Sequence, residues 1–212
     1  MKVIIFDMDG TLIDSSVDIT DTINQIRDKH HNLPPVKPEY IVEAINRPVR
    51  NLPELFYHTE TYHDQDKQLF EELYYDNCIK NVTLYRGVTD TLEKLKSKQI
   101  HLSVATNAYA PFAKRMLEHL NIGDYFDHIV GADTLGISKP DPSMLHHILK
   151  HYGFDYDAHD AWMVGDNTKD ILAGQNATIN TVQSTWGFEA IQANADWRIH
   201  HPEELLGIVE SR

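Results

Sequence analysis

Residues 3–15 read VIIFDMDGTLIDS. Val3 to Phe6 supply enough apolar length for one strand, and the run ends directly in acids: Asp7, Asp9 and Asp14 stand around a Gly10-Thr11 turn. Several carboxylates gathered where a strand stops call for a chemical use. The rest of the chain indicates which fold delivers that strand end to a site.

Short apolar runs recur at HLSVATN (101–107), HIVGAD (128–133), AWMVGD (161–166) and INTVQS (179–184), each strand-sized and most ending in a polar or acidic residue. Helical patterns lie between them, from Val88, from Pro111 and from Pro142. The last has Asp141 as N-cap candidate, Pro142 at the first helical position and Gly153 as stop. Alternating strands and helices predict β-α-β units: an α/β, Rossmann-like core of three layers with a parallel sheet. Ligands in such sheets bind at the carboxyl ends of the strands, where the polar residues here collect.

From about Val17 to Leu84 the pattern changes. Apolar residues fall at helical spacing in IVEAINRPVRNLPELF and DQDKQLFEELYYDNCIKN, no strand is apparent, and Pro34, Pro35, Pro38, Pro48 and Pro53 divide the stretch into moderate helices. The expected organisation is a core of residues 1–14 and 85–212 with a small helical domain, 15–84, inserted after the first strand. The tail after Ile199 reads as one closing helix starting near Pro202.

The 212 residues carry a formal charge of −13, with 42% hydrophobic and 24% charged residues. That balance excludes a general nucleic-acid or anionic-membrane binder, which needs a broad positive surface, and an anionic substrate needs cations supplied locally. Cys78, the single cysteine, excludes an internal disulfide framework and suits a reducing compartment. The apolar run before Asp7 is too short for a signal-peptide core or a membrane span, so the reading is a cytoplasmic protein, a monomer or small homo-oligomer. Adjacent histidines at His30-His31, His146-His147 and His200-His201 are expected to point different ways and to lie on the surface.

A carboxylate is a usable nucleophile toward phosphorus, giving an aspartyl-phosphate that water can hydrolyse. It needs a hard cation to offset repulsion between anions, a second acid to move protons, and fixed donors for the non-transferred oxygens. Asp7 and Asp9, two residues apart across a turn at Gly10, suit one nucleophile and one acid/base. Thr106 and Asn107 end another strand as phosphate donors, and Lys139 in SKPDP supplies a cation. MVGDNTKD brings Asp166 and Asp170 after a further strand, with Asp166 placed to complete the carboxylate set of a metal. A lone Asp at a strand end is usually a helix cap and a lone Lys-Pro a surface turn; the argument rests on the set.

The four stretches DMDGT, ATN, KPDP and GDNTKD, in this order across residues 7–170, resemble the four motifs of the haloacid dehalogenase-like hydrolase superfamily. The resemblance implies Mg²⁺-dependent phosphoryl transfer under a cap that closes over the substrate. Asp7 would be nucleophile and metal ligand, and Asp9 general acid/base with its backbone carbonyl on the metal. Thr106, Asn107 and Lys139 would hold phosphate, Asp166 would ligate the metal, and Asp170 would support that network. Thr11 would order the turn, while Asp14, Asp133 and Asp141 read as structural.

Asp9 and the late carboxylates argue against a metal-free dehalogenase and against a phosphonatase. The architecture and the stretch STWGF (184–188) look most like the phosphoglycolate phosphatase branch. The expected substrate is a small phosphorylated metabolite, with Arg47 and Arg50 of the cap as candidate readers of a substrate carboxylate. A sugar-phosphate phosphatase, a pyrophosphatase and a β-phosphoglucomutase-like enzyme are the alternatives; a non-catalytic regulatory binder is opposed by the presence of both Asp7 and Asp9. Two positions depart from the pattern: Asn46 before Arg47, and Thr178 after QNA, where family members commonly carry glycine.

Overall fold

The computed structural model describes residues 1–47, 51–188 and 192–211. The chain divides into two compact units, Met1–Asp14 with Leu84–Arg212, and Ser15–Thr83.

The larger unit is built on a six-stranded sheet. Its strands are β1 (Lys2–Phe6), β4 (His101–Ala105), β5 (His128–Val130), β6 (Asp160–Gly165), β7 (Asn180–Ser184) and β8 (Trp197–Ile199), in the order β5-β4-β1-β6-β7-β8 with every pairing parallel. β1 sits at the centre, which is why it reads as an unbroken apolar run: Val3, Ile4 and Ile5 are wholly buried because both faces are covered. Side chains alternate between those faces. Val3 and Ile5 pack with Met144, Leu145, Ile148 and Leu149 of α8 (Ser143–His151) and with Ala173 of α9 (Thr168–Asn176). On the other face Phe6 and Val164 share a small apolar space with Val88 and Leu92 of α5 (Val88–Ser97) and Leu205 of α10 (Glu204–Glu210). Helices α6 (Ala110–His119) and α7 (Ala132–Leu135) complete the unit.

The expected α/β, Rossmann-like core is therefore present, with local differences. HIVGAD stops being a strand at Val130, and a short helix opens at Ala132. The helix expected from Pro142 starts one residue later, with Pro142 itself at the cap position. Asp141 still contributes, because its Oδ1 accepts the Ser143 N–H at 2.9 Å. β8 has no counterpart in the sequence reading: WRI is three residues long, and only Ile199 is fully buried, so it gives no periodic signal.

The smaller unit consists of α1 (Ser16–His31), α2 (Pro38–Asn46), α3 (Leu52–Tyr57) and α4 (Asp64–Asn77). Pro38 and Pro53 stand in the first turns of α2 and α3, where a missing N–H costs nothing. Its core is Ile23, Ile26, Ile41, Ala44, Phe56 and Tyr57. Buried Arg27 serves the loops of this unit, donating to the Pro34 carbonyl at 2.9 Å and to the Phe56 carbonyl. The stretch from Val17 to Leu84 is not wholly helical: β3 (Thr83–Leu84) pairs with β2 (Ile13–Asp14) where the chain leaves the larger unit and returns. Two residues are too few to register as a periodicity. Among the described residues no helix is long and apolar enough to cross a membrane.

Candidate active site

Parallel register brings three strand ends level. Phe6 lies opposite Val104 of β4 and Val164 of β6, and the Asp7 N–H donates to the Val164 carbonyl at 2.8 Å. Asp7, Thr106 and Asp166 therefore leave adjacent strands at one edge of the sheet. All three are buried.

Beyond Asp7 the chain folds back at once. The Met8 carbonyl accepts the N–H groups of Thr11, Leu12 and Ile13, and the Gly10 N–H returns to the Ile13 carbonyl at 2.9 Å. Gly10 has φ +87°, and a side chain there would run into the Asp166 carboxylate. Both the left-handed backbone and the close approach require glycine. The stretch 184–188 then closes over this turn. Trp186 Nε1 donates to the Thr11 carbonyl at 3.0 Å, and the Phe188 N–H donates to Asp166 Oδ2 at 2.7 Å. Gly187 between them has no room for a Cβ against the Gly10 carbonyl. The Thr11 hydroxyl lies 3.4 Å from Asp166 Oδ1, and Gln183 Nε2 donates to the Asp166 carbonyl at 3.2 Å. Thr11, Gln183, Trp186 and Phe188 thus shape the surroundings of Asp166. Sequence reasoning missed Gln183, Trp186 and Phe188 as site residues, although the quoted STWGF carried the signal for the last two.

Lys139 is the buried cation of the site. Its Nζ lies 2.5 Å from Asp7 Oδ1 and 2.6 Å from Asp170 Oδ1. Asp170 is fixed in turn at the start of α9, where its Oδ2 accepts the Asn167 N–H at 3.0 Å in a reciprocal cap. Asn107, the other expected phosphate donor, also supports Lys139. Its Oδ1 accepts the Lys139 N–H at 2.8 Å and its Nδ2 donates to the Lys139 carbonyl at 3.1 Å, so the side chain grips the lysine's backbone. Thr106 Oγ1 accepts the Ala108 N–H at 3.1 Å, which aims the hydroxyl from the strand end.

One carboxylate oxygen from each of Asp7, Asp166 and Asp170 lies within 4.8 Å of the others. Three buried acids thus face one ammonium. Burial, and then the charges of Asp170 and Asp166, push the Asp7 carboxyl well above its ordinary range against the pull of Lys139. Burial also works against the charge on Lys139, but Asp170 and Asp7 outweigh it and hold the ammonium above its ordinary range. The imbalance is what a divalent cation would correct, and an all-oxygen donor set suits a hard one. Of the three, Asp170 is the one held by both the Lys139 ammonium and the cap of α9, while Asp7 and Asp166 stand at the ends of adjacent strands.

Asp9 is half-buried on the same turn, where its backbone bridges to Ile13. Tyr85 was not anticipated. Burial, followed by the charges of Asp14, Asp166 and Asp9, pushes its phenol up, so it lies within the field of the acids. Asp133 Oδ1 accepts the Ala110 N–H at 2.7 Å, a structural bond. Arg47 belongs to the helical unit and is exposed at the end of α2, paired with Glu43 at 2.8 Å. Arg50 lies outside the described residues.

Residues 4–183 match the model of the haloacid dehalogenase-like hydrolase family. The chain is 32% identical to the phosphoglycolate phosphatase of Aquifex aeolicus, over 100% of this chain and 98% of that protein. It is 30% identical to the phosphoglycolate phosphatase of Photobacterium profundum, over 99% and 96%. A crystal structure described as a predicted phosphoglycolate phosphatase from Haemophilus somnus superimposes with a TM-score of 0.83 at 26% identity, covering 98% of this chain and 97% of that one.

Proposed function

The chain belongs to the haloacid dehalogenase-like hydrolase family, and from that premise we propose that it is a Mg²⁺-dependent phosphatase of small phosphomonoesters, with phosphoglycolate as its first candidate substrate. The observation that carries the reading is Asp7: a buried carboxylate at a central strand end, 2.5 Å from the Lys139 ammonium and beside Asp166. The substrate comes from the relatives named phosphoglycolate phosphatase.

Asp7 and Asp166, with the Asp9 carbonyl, would hold Mg²⁺, which supplies charge neutralisation for the phosphoryl oxygens when bound. One Asp7 oxygen attacks phosphorus in line; the new P–O bond forms as the bond to the leaving alkoxide breaks. Asp9 gives its proton to that oxygen. Asp9 then takes a proton from water as the water oxygen attacks the same phosphorus, and the bond to Asp7 breaks to release inorganic phosphate. Lys139 and the Thr106 hydroxyl face the equatorial oxygens of the phosphoryl group, where charge concentrates in the transition state. Asn107 acts through Lys139 by fixing its backbone.

The test is phosphate release across phosphoglycolate, sugar phosphates, nucleotides and pyrophosphate, with and without Mg²⁺, with Asp7→Asn as control. A preference for phosphoglycolate supports the full reading. Broad or sugar-directed turnover keeps the phosphatase and removes that substrate, and transfer without hydrolysis points to a mutase. Arg47 and Arg50 belong to the proposal as carboxylate readers. On that view Arg47→Ala lowers kcat/KM for phosphoglycolate about tenfold and spares a neutral aryl phosphate; equal losses on both substrates would remove the assignment.

A further inference from the structure

The helical unit holds a second convergence of ligating side chains. Adjacent histidines were expected to point apart, yet His30 and His31 meet on one carboxylate. His30 Nδ1 lies 2.9 Å from Asp66 Oδ1, and His31 Nε2 lies 2.9 Å from Asp66 Oδ2. His63 points at the same oxygen, with Nδ1 at 3.8 Å. Asp66 is 2% exposed, His31 9% and His63 61%, so the cluster is sealed on one side and open on the other.

We propose that His31, His63 and Asp66 form a binding site for a Zn²⁺-class transition-metal ion that ties the helical unit together. Hydrogen bonding explains His30 and His31, since a buried carboxylate needs donors. His63, at the N-cap of α4 three residues before Asp66, stands at ion-pair distance from Oδ2 but beyond hydrogen-bond reach, leaving its Nδ1 aimed at the cluster without a bond to it. In a tetrahedral Zn²⁺ site with arms near 2.0–2.1 Å, neighbouring ligand atoms stand roughly 3.3 Å apart. The 2.9 Å and 3.8 Å separations lie on either side of that value, and one ligand atom from each residue falls within 4.8 Å of the others. A small swing of exposed His63 closes the set. Two imidazole nitrogens and one carboxylate oxygen are borderline ligands that favour Zn²⁺, Co²⁺ or Ni²⁺ over Mg²⁺.

The surroundings suit a cation. His31 stacks on Tyr57 with ring centroids 4.8 Å apart and planes 12° from parallel, which fixes its ring. His30 on Oδ1 orients the carboxylate and leaves Oδ2 to the ion, the part an outer-shell partner plays in metal sites. His31 stands in the last turn of α1, where the 16-residue helix presents its negative end. The three ligands come from the end of α1, the residue preceding α4 and the first turn of α4. A bound ion would add a cross-link to segments already joined by packing and by the His30–Asp66 and Asn77–Thr22 hydrogen bonds.

Titration of the intact chain with Co²⁺ in millimolar Mg²⁺ tests the site, with Mg²⁺ keeping the acid cluster of the larger unit occupied. One Co²⁺ per chain with the intense visible absorption of a four-coordinate site is expected, displaced by one Zn²⁺. The signal should persist in Asp166→Asn and vanish in His31→Gln. His63→Gln, at an exposed position that cannot unseat the fold, should weaken affinity at least tenfold. Zn²⁺ at a hundredfold excess over its Kd should raise the Tm of the wild type by about 5–10 °C and that of His63→Gln far less. Absence of a retained Co²⁺, loss of the signal in Asp166→Asn, or unchanged affinity in His63→Gln would each overturn the proposal.

Discussion

Asp7 and Asp18 are both buried aspartates, one in each unit of the molecule, and their surroundings are opposite in kind. Asp18, in the first turn of α1, receives only neutral donors: the Asn81 N–H at 3.0–3.1 Å, Asn81 Nδ2 at 2.8 Å and the Val82 N–H at 3.0 Å. They staple the start of α1 to the chain beyond α4. Asp7 shares its space with two further acids and one ammonium. A carboxylate saturated with amide hydrogens has its charge fully answered and serves as a fastener. One whose charge is opposed by its neighbours suits the cation-binding and nucleophilic roles proposed for Asp7.

The sharpest way to break that contrast is Asp7→Asn. Under the proposed mechanism turnover falls by roughly 10⁴-fold or more. Stability should move the other way. The raised pKa means that the folded state binds this proton more tightly than the unfolded chain does. In metal-free protein the stabilising effect is therefore fully present below the ordinary carboxylate range and is lost as pH rises through the raised value. At neutral pH the amide should raise the metal-free Tm by a few degrees, about 1–2 kcal/mol. A lower Tm in thermal melts would show Asp7 to be as well satisfied as Asp18.

Lys139→Ala should lower kcat about 10²–10³-fold and also destabilise, since Asp7 and Asp170 lose their shared partner. Asn107→Ala, which leaves the ammonium in place and frees its backbone, should cost nearer tenfold in kcat. Equal losses in steady-state assays would assign Asn107 a direct contact with substrate. Asp18→Ala should cost about 3 kcal/mol in denaturant melts, because several amide donors are stranded at once. Little change would mean that the staple is redundant. The smallest effect belongs to Thr178, which follows α9 with φ +58°, a left-handed conformation that a β-branched residue adopts at a cost. Thr178→Gly should stabilise by about 1 kcal/mol. The position the sequence analysis singled out therefore coincides with local strain.

Legibility in the sequence followed the range of the forces involved. The strand ends could be read because buried parallel strands are continuous apolar runs, and the residues that follow them share an edge by register alone. Asp7, Lys139, Asp166 and Asp170 converge as their spacing led one to expect. The grip of Asn107 on Lys139, across 32 positions, leaves no local trace. The closure of Trp186 and Phe188 over Thr11 and Asp166 is equally silent in composition. His30 and His31 were misread for a geometric reason. Consecutive helical side chains do diverge, but one uses its near nitrogen and the other its far one, and each takes a different oxygen of Asp66.

The short pairing of Ile13–Asp14 with Thr83–Leu84 bears on how such a gene can change. The intervening helices are spliced into the chain through two neighbouring ends, much as a cassette sits between adjacent contacts. Exchange of the whole segment by recombination would need to match only those ends, while every residue of the acid cluster lies outside the exchanged piece. If Arg47 and Arg50 read the substrate as proposed, selectivity and reactivity would be inherited separately.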